Sequence, residues 1–224
     1  HLLFLFLMML PIVANAEDVV EIDGIYYNLI FSKKSAEAVS NPSKYSGEVI
    51  IPETITYEGV EYSVTSIGIC AFLGCSGLTS VTIPNSVTTI GYGAFMGCSG
   101  LTSVTIGNSV TSIDHNAFGD CGTLSDVYCY AKSVPSAQEG AFYKSYPKYI
   151  VLHVPASSVV AYKGTFPWDS FGSIVPITQE EETAIHNIEN ENSSDDGIYT
   201  LDGRKIEKLQ KGVNIIRNGT GVKK

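Results

Sequence analysis

A 23-residue repeat in the middle of the chain constrains its fold more than any other feature of the sequence. Residues 64–86 read VTSIGICAFLGCSGLTSVTIPNS, residues 87–109 read VTTIGYGAFMGCSGLTSVTIGNS, and the two segments agree at 18 of 23 positions. A third copy over residues 110–133 has one added residue, and a fourth, degenerate copy starts at Val134. Because a unit of this length cannot bury its apolar side chains alone, the repeat predicts a solenoid whose neighbouring coils share one core.

Each copy divides into two short halves of β type. The L-x-x-V-x-I pattern, which is Leu78, Val81 and Ile83 in the first copy, alternates as a half-buried strand does. The other half carries the apolar pair Ala71-Phe72 and contains no run long enough for an ordinary helix. We therefore expect a mainly β solenoid. Its L-x-x-V-x-I strands form a parallel sheet, and the chain returns through a short strand and a tight turn.

The repeat resembles the BspA-like leucine-rich-repeat family, which is also found in treponemal surface proteins. The unit of that family has an S-I-G-x-x-A-F-x-x-C-x-x-L-x-x-V-x-I-P core. The residues that match this core are Ser66-Ile67-Gly68, Ala71-Phe72, Cys75, Leu78, Val81, Ile83 and Pro84. The resemblance covers residues 45–178 and implies a leucine-rich-repeat solenoid with a parallel concave sheet, capped at both ends. It also implies attachment to host proteins or to other cells.

Three of the five cysteines occupy one position of the repeat. Cys75, Cys98 and Cys121 stand 23 residues apart, so we predict that they form an interior ladder of small apolar side chains. A disulfide between adjacent coils would join side chains that point the same way, which suits disulfide geometry poorly. Cys70 falls on the outer return and Cys129 inside a strand. Since no C-x-x-C pattern or neighbouring histidine favours a zinc site, we predict neither a metal nor a cofactor.

The segments outside the repeats have separate interpretations. Residues 1–16 contain an apolar run that ends in Ala14-Asn15-Ala16, which is typical of a signal peptide, here truncated at its start; the alternative is a buried N-terminal strand. The predicted organisation is a signal peptide (1–16), an N-terminal cap with the first strand (17–63), leucine-rich repeats (64–155), a C-terminal cap (156–178), an acidic linker (179–196) and a short C-terminal β segment (197–224).

Three local patterns describe the caps and the last coil. Glu58-Gly59 lies between two alternating segments and predicts a β-hairpin in the N-terminal cap. Residues 149–154 are the predicted strand of the fourth copy. A short helix after this strand would carry Val159, Tyr162 and Trp168 onto the last coil.

The C-terminal tail looks like the endings of many exported Bacteroidetes proteins. It contains the run GIYTLDGRK at residues 197–205, and the pairs Asp202-Gly203 and Asn218-Gly219 mark turns between short strands. The likeness implies a sorting or anchoring role. A small packed hairpin with no such role is the alternative.

The net charge and the motifs of the sequence limit the classes of function that the chain can have. The formal net charge is −9, so the chain repels phosphate backbones and we predict no nucleic-acid partner. The four histidines do not cluster in sequence, and Gly91-Tyr92-Gly93 belongs to the repeat rather than to a dinucleotide-binding unit. Beyond residues 1–16 no segment is apolar enough to span a membrane. We therefore predict that the chain is not an enzyme and that its mature form has no membrane span.

The x positions of the L-x-x-V-x-I strands form the candidate binding face. One predicted row of outward side chains is Ile50, Thr82, Thr105, Tyr128 and His153, and the next is Glu48, Ser80, Ser103, Asp126 and Val151. Residues 64–109 contain no charged side chain, so this face offers short hydrogen bonds and aromatic contacts rather than long-range steering. The candidate ligand-binding residues are Ser80, Thr82, Ser103, Thr105, Asp126, Tyr128, Tyr130 and His153. The alternative is that serine and threonine merely suit strands.

These patterns together favour a secreted or cell-surface binding module. We expect it to adhere to proteins or glycans of host or bacterial surfaces through the concave face. The alternative is a structural component of an envelope or matrix that has no heterologous ligand. No oligomeric state is predicted.

Overall fold

The computed structural model describes residues 18–178 and, in the C-terminal tail, the backbone of residues 198–199 and 205–206. Most regular structure in this part of the chain is β. The strands are β1 (Asp18–Ile22), β2 (Ile25–Ile30), β3 (Ser35–Val39), β4 (Ser46–Ile50), β5 (Thr54–Tyr57), β6 (Val60–Ile67), β7 (Gly77–Ile83), β8 (Thr89–Ile90), β9 (Ser103–Ile106), β10 (Ser112–Ile113), β11 (Asp126–Cys129), β12 (Ser136–Ala137), β13 (Val151–Val154), β14 (Ser173–Pro176), β15 (Ile198–Tyr199) and β16 (Lys205–Ile206). The helices are α1 (Val159–Lys163) and four 3-10 turns at Phe31–Lys33, Pro147–Tyr149, Ala156–Ser158 and Trp168–Ser170.

Two sheets line opposite halves of each coil. The first has six parallel strands in the order β14-β13-β11-β9-β7-β4. The second has eight strands in the order β1-β2-β3-β6-β8-β10-β12, with β5 paired to β6. Each central coil places one strand in each sheet, so the prediction of a mainly β solenoid with a parallel sheet and a short return strand is confirmed.

The constant repeat length sets the register of the six-stranded sheet. Val81 pairs with Val104, and Val104 pairs with Val127, each one repeat further along the chain. These side chains are buried, whereas the residues on either side of each are only half-buried. Equivalent apolar side chains therefore stack on one another and form a single continuous core.

A column of aromatic rings runs through this core. Phe72, Phe95, Phe118 and Phe142 are buried and stacked, with successive ring centroids 4.8, 5.2 and 5.3 Å apart. Their backbones are also joined, because the N–H of Phe95 donates to the carbonyl of Ala117 in the next coil at 2.7 Å. Offset stacking of this kind adds to the free energy of apolar burial.

Residues of the two caps close the ends of the column. At the N-terminal end the Tyr45 ring lies on Phe72, with ring centroids 4.4 Å apart. At the other end Trp168 and Phe171 meet Phe142 edge to face at 5.7 and 5.0 Å. The last ring at each end of the column is thereby covered by an aromatic side chain of a cap.

The side chain at the cysteine position of the repeat donates a hydrogen bond from its coil to the preceding coil. All five cysteines are free, and Cys75, Cys98 and Cys121 are buried. The thiols of Cys98 and Cys121 each donate at 3.1 Å to the carbonyl of the phenylalanine in the preceding coil. The fourth copy has no cysteine here, and the hydroxyl of the buried Ser145 donates to the carbonyl of Phe118 instead. The side chains of this ladder therefore make hydrogen bonds as well as apolar contacts. The spacing of the cysteines did not indicate these hydrogen bonds.

The caps differ in part from the sequence predictions. The hairpin at Glu58-Gly59 is present, with both residues in the left-handed region at φ 50° and 76°. The strand of the fourth copy was predicted over residues 149–154, but it starts at Val151, because Pro147–Tyr149 form a 3-10 turn. The ring of Pro147 fixes its φ at a value that suits a helical turn, which favours the 3-10 turn at this point.

The C-terminal cap contains the predicted short helix and an additional strand. Helix α1 and the following 3-10 turn bury Tyr162 and Trp168, and Val159 packs against the core at its edge. The chain then adds β14 in parallel to β13. The predicted outward rows contained five residues each and so implied five strands in this sheet; that number was wrong, because the sheet has six.

The chain from Thr178 onward belongs to a second compact unit. Within it β15 pairs with β16 in antiparallel fashion. The predicted signal peptide, the acidic linker and the turns at Asp202-Gly203 and Asn218-Gly219 lie outside the described residues.

Truncation of the aromatic column is expected to destabilise the protein far more than a change on its surface. Phe95→Ala should lower the free energy of unfolding by about 3–5 kcal/mol, because Phe95 fills the middle of the stack. Thr105→Ala on the outward side should lower it by less than about 1 kcal/mol. Urea titrations of both variants measure this difference. Equal losses would mean that the inside and outside faces are misassigned.

Buried phenols make the folded state sensitive to alkali. Burial raises the pKa of Tyr45 to about 12 and also raises the pKa of Tyr27 and Tyr162. A phenol whose pKa is higher in the folded state than in the unfolded state favours folding while it is protonated. Its contribution is therefore complete below pH 10, the ordinary pKa of tyrosine, and is lost as the pH rises towards the folded value.

Unfolding titrations between pH 10 and 12 test this linkage. In that window Tyr45→Phe should reduce the slope of stability against pH by about 1.4 kcal/mol per pH unit, because one linked proton has been removed. Tyr143→Phe, which removes a phenol hydroxyl at an exposed position, is the matched control substitution. Parallel slopes for wild type and Tyr45→Phe would contradict the burial of this phenol.

Candidate functional site

The outward rows of the six-stranded sheet lie in the register expected from the repeat. We call the solvent-facing side of this sheet, from β4 to β14, the concave face. The first row runs through Glu48, Ser80, Ser103, Asp126 and Val151, and the second through Ile50, Thr82, Thr105, Tyr128 and His153. The structure thus brings seven of the eight candidate residues together on four adjacent strands, β7, β9, β11 and β13.

Tyr130 is the eighth candidate residue and lies just beyond the end of β11. Its backbone N–H donates to the carbonyl of Ile106 at 3.0 Å, so the parallel pairing continues for one more step. This pairing sets Tyr130 beside Gly107 on the neighbouring coil. The side chain is half-buried.

Four hydroxyl groups occupy the centre of the concave face. None of them hydrogen bonds to another of the described residues, and all four side chains are half-buried. These residues are Ser80, Thr82, Ser103 and Thr105. A neighbouring hydroxyl behaves differently, because Thr102 donates to the carbonyl of Thr79 at 3.0 Å. The central four therefore keep their donors and acceptors available to a ligand.

An aromatic and ionisable cluster adjoins the hydroxyl groups. The rings of Tyr128 and His153 are stacked, with centroids 4.2 Å apart and planes at 19°. The Asp126 carboxylate lies 3.3 Å from the Nε2 atom of His153 and accepts a hydrogen bond of 2.7 Å from Ser125. Because these contacts hold the side chains in place, little conformational entropy is left for a ligand to remove.

The other border of the hydroxyl groups is formed by Glu48 and Ile50. Both are exposed on β4, opposite Ser80 and Thr82. No lysine or arginine occurs on any of the six strands of this sheet. The charges on these strands are therefore two carboxylates, Glu48 and Asp126, with His153 as the one further titratable group.

Both rows continue onto β14, which was not predicted from the sequence. Ser173 pairs with Val151 and Val175 pairs with His153, so the face has a sixth strand. The signal for it was the alternation of Ser173 and Val175 around the buried Ile174. This segment follows β13 by 22 residues but does not carry the L-x-x-V-x-I residues, so the repeat pattern did not indicate it.

No metal site is evident in the described part of the chain. No group of three or more histidine, cysteine, aspartate or glutamate side chains is arranged there to hold an ion. Likewise, among the helices described in residues 18–178, none is long and apolar enough to cross a bilayer.

Comparison with known families identifies the class of the protein. The model described as "BspA type Leucine rich repeat region (6 copies)" matches residues 50–165, which is more than half of the chain. The chain therefore belongs to the BspA-type leucine-rich-repeat family. Members of this family are protein-interaction or surface modules, and this coarse description holds for the chain. No curated protein sequence matches it.

Solved structures show the same fold. A leucine-rich repeat protein from Bacteroides capillosus is 23% identical with a TM-score of 0.52, and the match covers 72% of this chain and 100% of that one. A second leucine-rich repeat protein, from Bacteroides ovatus, is 26% identical with a TM-score of 0.51, over 70% of this chain and 41% of that one.

Proposed function

We propose that the chain is a secreted or cell-surface adhesion module that attaches to proteins or glycans through its concave face. One observation carries this proposal. Four unpaired hydroxyls in strand register lie beside a fixed cluster of Asp126, Tyr128 and His153. Such a combination of polar anchors and aromatic surface on a rigid sheet is typical of binding sites.

The rigidity of the sheet supports the proposal. Its strands are parallel and in register, and their inward side chains are buried in the shared core. A binding surface of this kind is largely preformed, so association does not require the ordering of a loop. Family membership supports an interaction role in general terms.

Export to the surface is part of the same proposal. It rests on the apolar run of residues 1–16 with its Ala14-Asn15-Ala16 ending, which is typical of a signal peptide. The tail of residues 197–224, beyond an acidic linker at 179–196, is proposed to sort or anchor the chain. Both proposals concern segments that lie largely outside the described residues.

Solid-phase binding to a panel of matrix proteins, bacterial surface proteins and glycans tests the adhesion proposal. The variant Thr82→Glu, Thr105→Glu, Tyr128→Ala places two charges on the concave face and removes its central ring. Saturable binding by the wild type should fall at least about 10-fold in this variant, which corresponds to about 1.4 kcal/mol. Circular dichroism and melting temperature verify that each variant is folded.

A matched control variant separates the concave face from the opposite sheet. Thr89→Glu, Ser112→Glu, Tyr92→Ala likewise adds two charges and removes one ring, at exposed positions on β8, on β10 and in the turn after β8. It should bind as the wild type does. Equal loss in both variants would remove the concave face from the proposal. Absence of any saturable ligand for the folded wild type would leave a structural envelope or matrix component as the better description.

A further inference from the structure

The heights of the side chains give the concave face a defined shape. Serine and threonine are short, so the central positions of β7 and β9 form a low floor. Longer side chains stand on both borders, with Glu48 and Ile50 on β4 and Asp126 and Tyr128 on β11. We call this feature the trough. Its floor residues are Ser80, Thr82, Ser103 and Thr105.

The dimensions of the trough suit a single extended chain. Its two border strands are separated by three strand spacings, which is about 14 Å between backbones. The border side chains occupy part of this width, so the remaining space accepts one ring of pyranose size with its hydroxyl groups. Along the strands, Tyr130 follows Tyr128 beside Gly107, which prolongs the border on one side.

The charges of the trough exclude an anionic ligand. Its charged groups are the carboxylates of Glu48 and Asp126, and none of the six strands carries a lysine or arginine. An acidic glycan or a phosphorylated chain would meet repulsion there and would find no lysine or arginine of these six strands to pair with. Carboxylates accept hydrogen bonds from neutral hydroxyl groups at no such cost.

The hydrogen-bonding groups of the trough match a polyhydroxylated ligand. Each of its four floor hydroxyls both donates and accepts, and none is committed to another described residue. Sugar hydroxyls have the same dual capacity, whereas the apolar C–H face of a hexose packs against an aromatic ring. Tyr128 supplies that ring at the border and is supported from behind by His153 at 4.2 Å.

We propose that the trough binds an uncharged hexose oligosaccharide, with one sugar ring on the hydroxyl floor and its apolar face against Tyr128. This inference rests on the proposed function, because it names the ligand class for the same face. The Asp126 carboxylate is held in place by Ser125 and His153, and it accepts a hydrogen bond from a sugar hydroxyl at the edge of the site. Glu48 does the same on the opposite border.

Isothermal titration of the full chain with defined oligosaccharides tests the inference. The uncharged probes are maltohexaose, cellohexaose and chitohexaose, and the anionic probe is heparin. At least one uncharged probe should bind saturably, while heparin should not bind.

Thr82→Val with Thr105→Val keeps the shape of the floor but removes two hydroxyls, so it should weaken binding about 10-fold or more. Tyr128→Ala should weaken it similarly, whereas Tyr128→Phe, which keeps the ring, should retain most of the affinity.

A matched control variant and parallel binding measurements with the proteins of the panel separate the possible outcomes. Thr89→Val with Ser112→Ala removes two exposed hydroxyls from the opposite sheet and should leave affinity unchanged. If a protein of the panel binds the trough and no uncharged oligosaccharide does, this inference fails while the adhesion proposal stands. If heparin binds in preference to the uncharged probes, the charge argument is wrong. If no panel member of either class binds the folded chain, both proposals fail.

Discussion

The stacking of one coil on the next is the interaction on which the rest of the structure depends. Each coil is too short to bury its own apolar side chains, and it becomes stable only when a neighbour covers them. Three contacts repeat at this junction: the phenylalanine rings stack, a buried thiol or hydroxyl donates to the preceding phenylalanine carbonyl, and backbone amides bond across coils. Buried donors such as Cys121 are thereby satisfied, so the core incurs little desolvation penalty at these positions. The caps then cover the column at its two ends with Tyr45 and Trp168.

Repetition explains which parts of the molecule could be predicted from sequence. Positions such as Val81, Val104 and Val127 recur at a fixed spacing, so their pairing and their inward direction follow from the period alone. The same period predicted which side chains form the outward rows of the concave face. The extra strand β14 was missed because the C-terminal cap occurs once, and the late start of β13 was missed because the Pro147–Tyr149 turn is peculiar to the fourth copy. The thiol bonds were missed because a spacing does not reveal what a side chain donates to.

The division between inward and outward positions connects the fold to its proposed function. Inward positions are held to a narrow set of side chains by the shared core, while the outward positions of the same strands are free to carry a binding surface. In this chain they carry hydroxyls in the middle, carboxylates at both borders and the stacked pair of Tyr128 and His153. The contact between these two rings joins strands whose residues are 25 positions apart, and only the register of the sheet brings them together. Short side chains between taller ones give the face its shape, and the absence of lysine and arginine from these strands is the basis of the proposed preference for uncharged ligands.

Hydrogen exchange of the buried amides that join the coils tests the shared core most directly. The N–H groups of Phe72, Phe95 and Phe118 donate to carbonyls of the following coil at 2.6, 2.7 and 2.8 Å. If one core runs from cap to cap, these three amides exchange only when the whole solenoid opens, and their opening free energies equal the global free energy of unfolding. Opening free energies that decrease stepwise towards either end would show that the coils open separately, and would contradict the account of a single stack sealed by its caps.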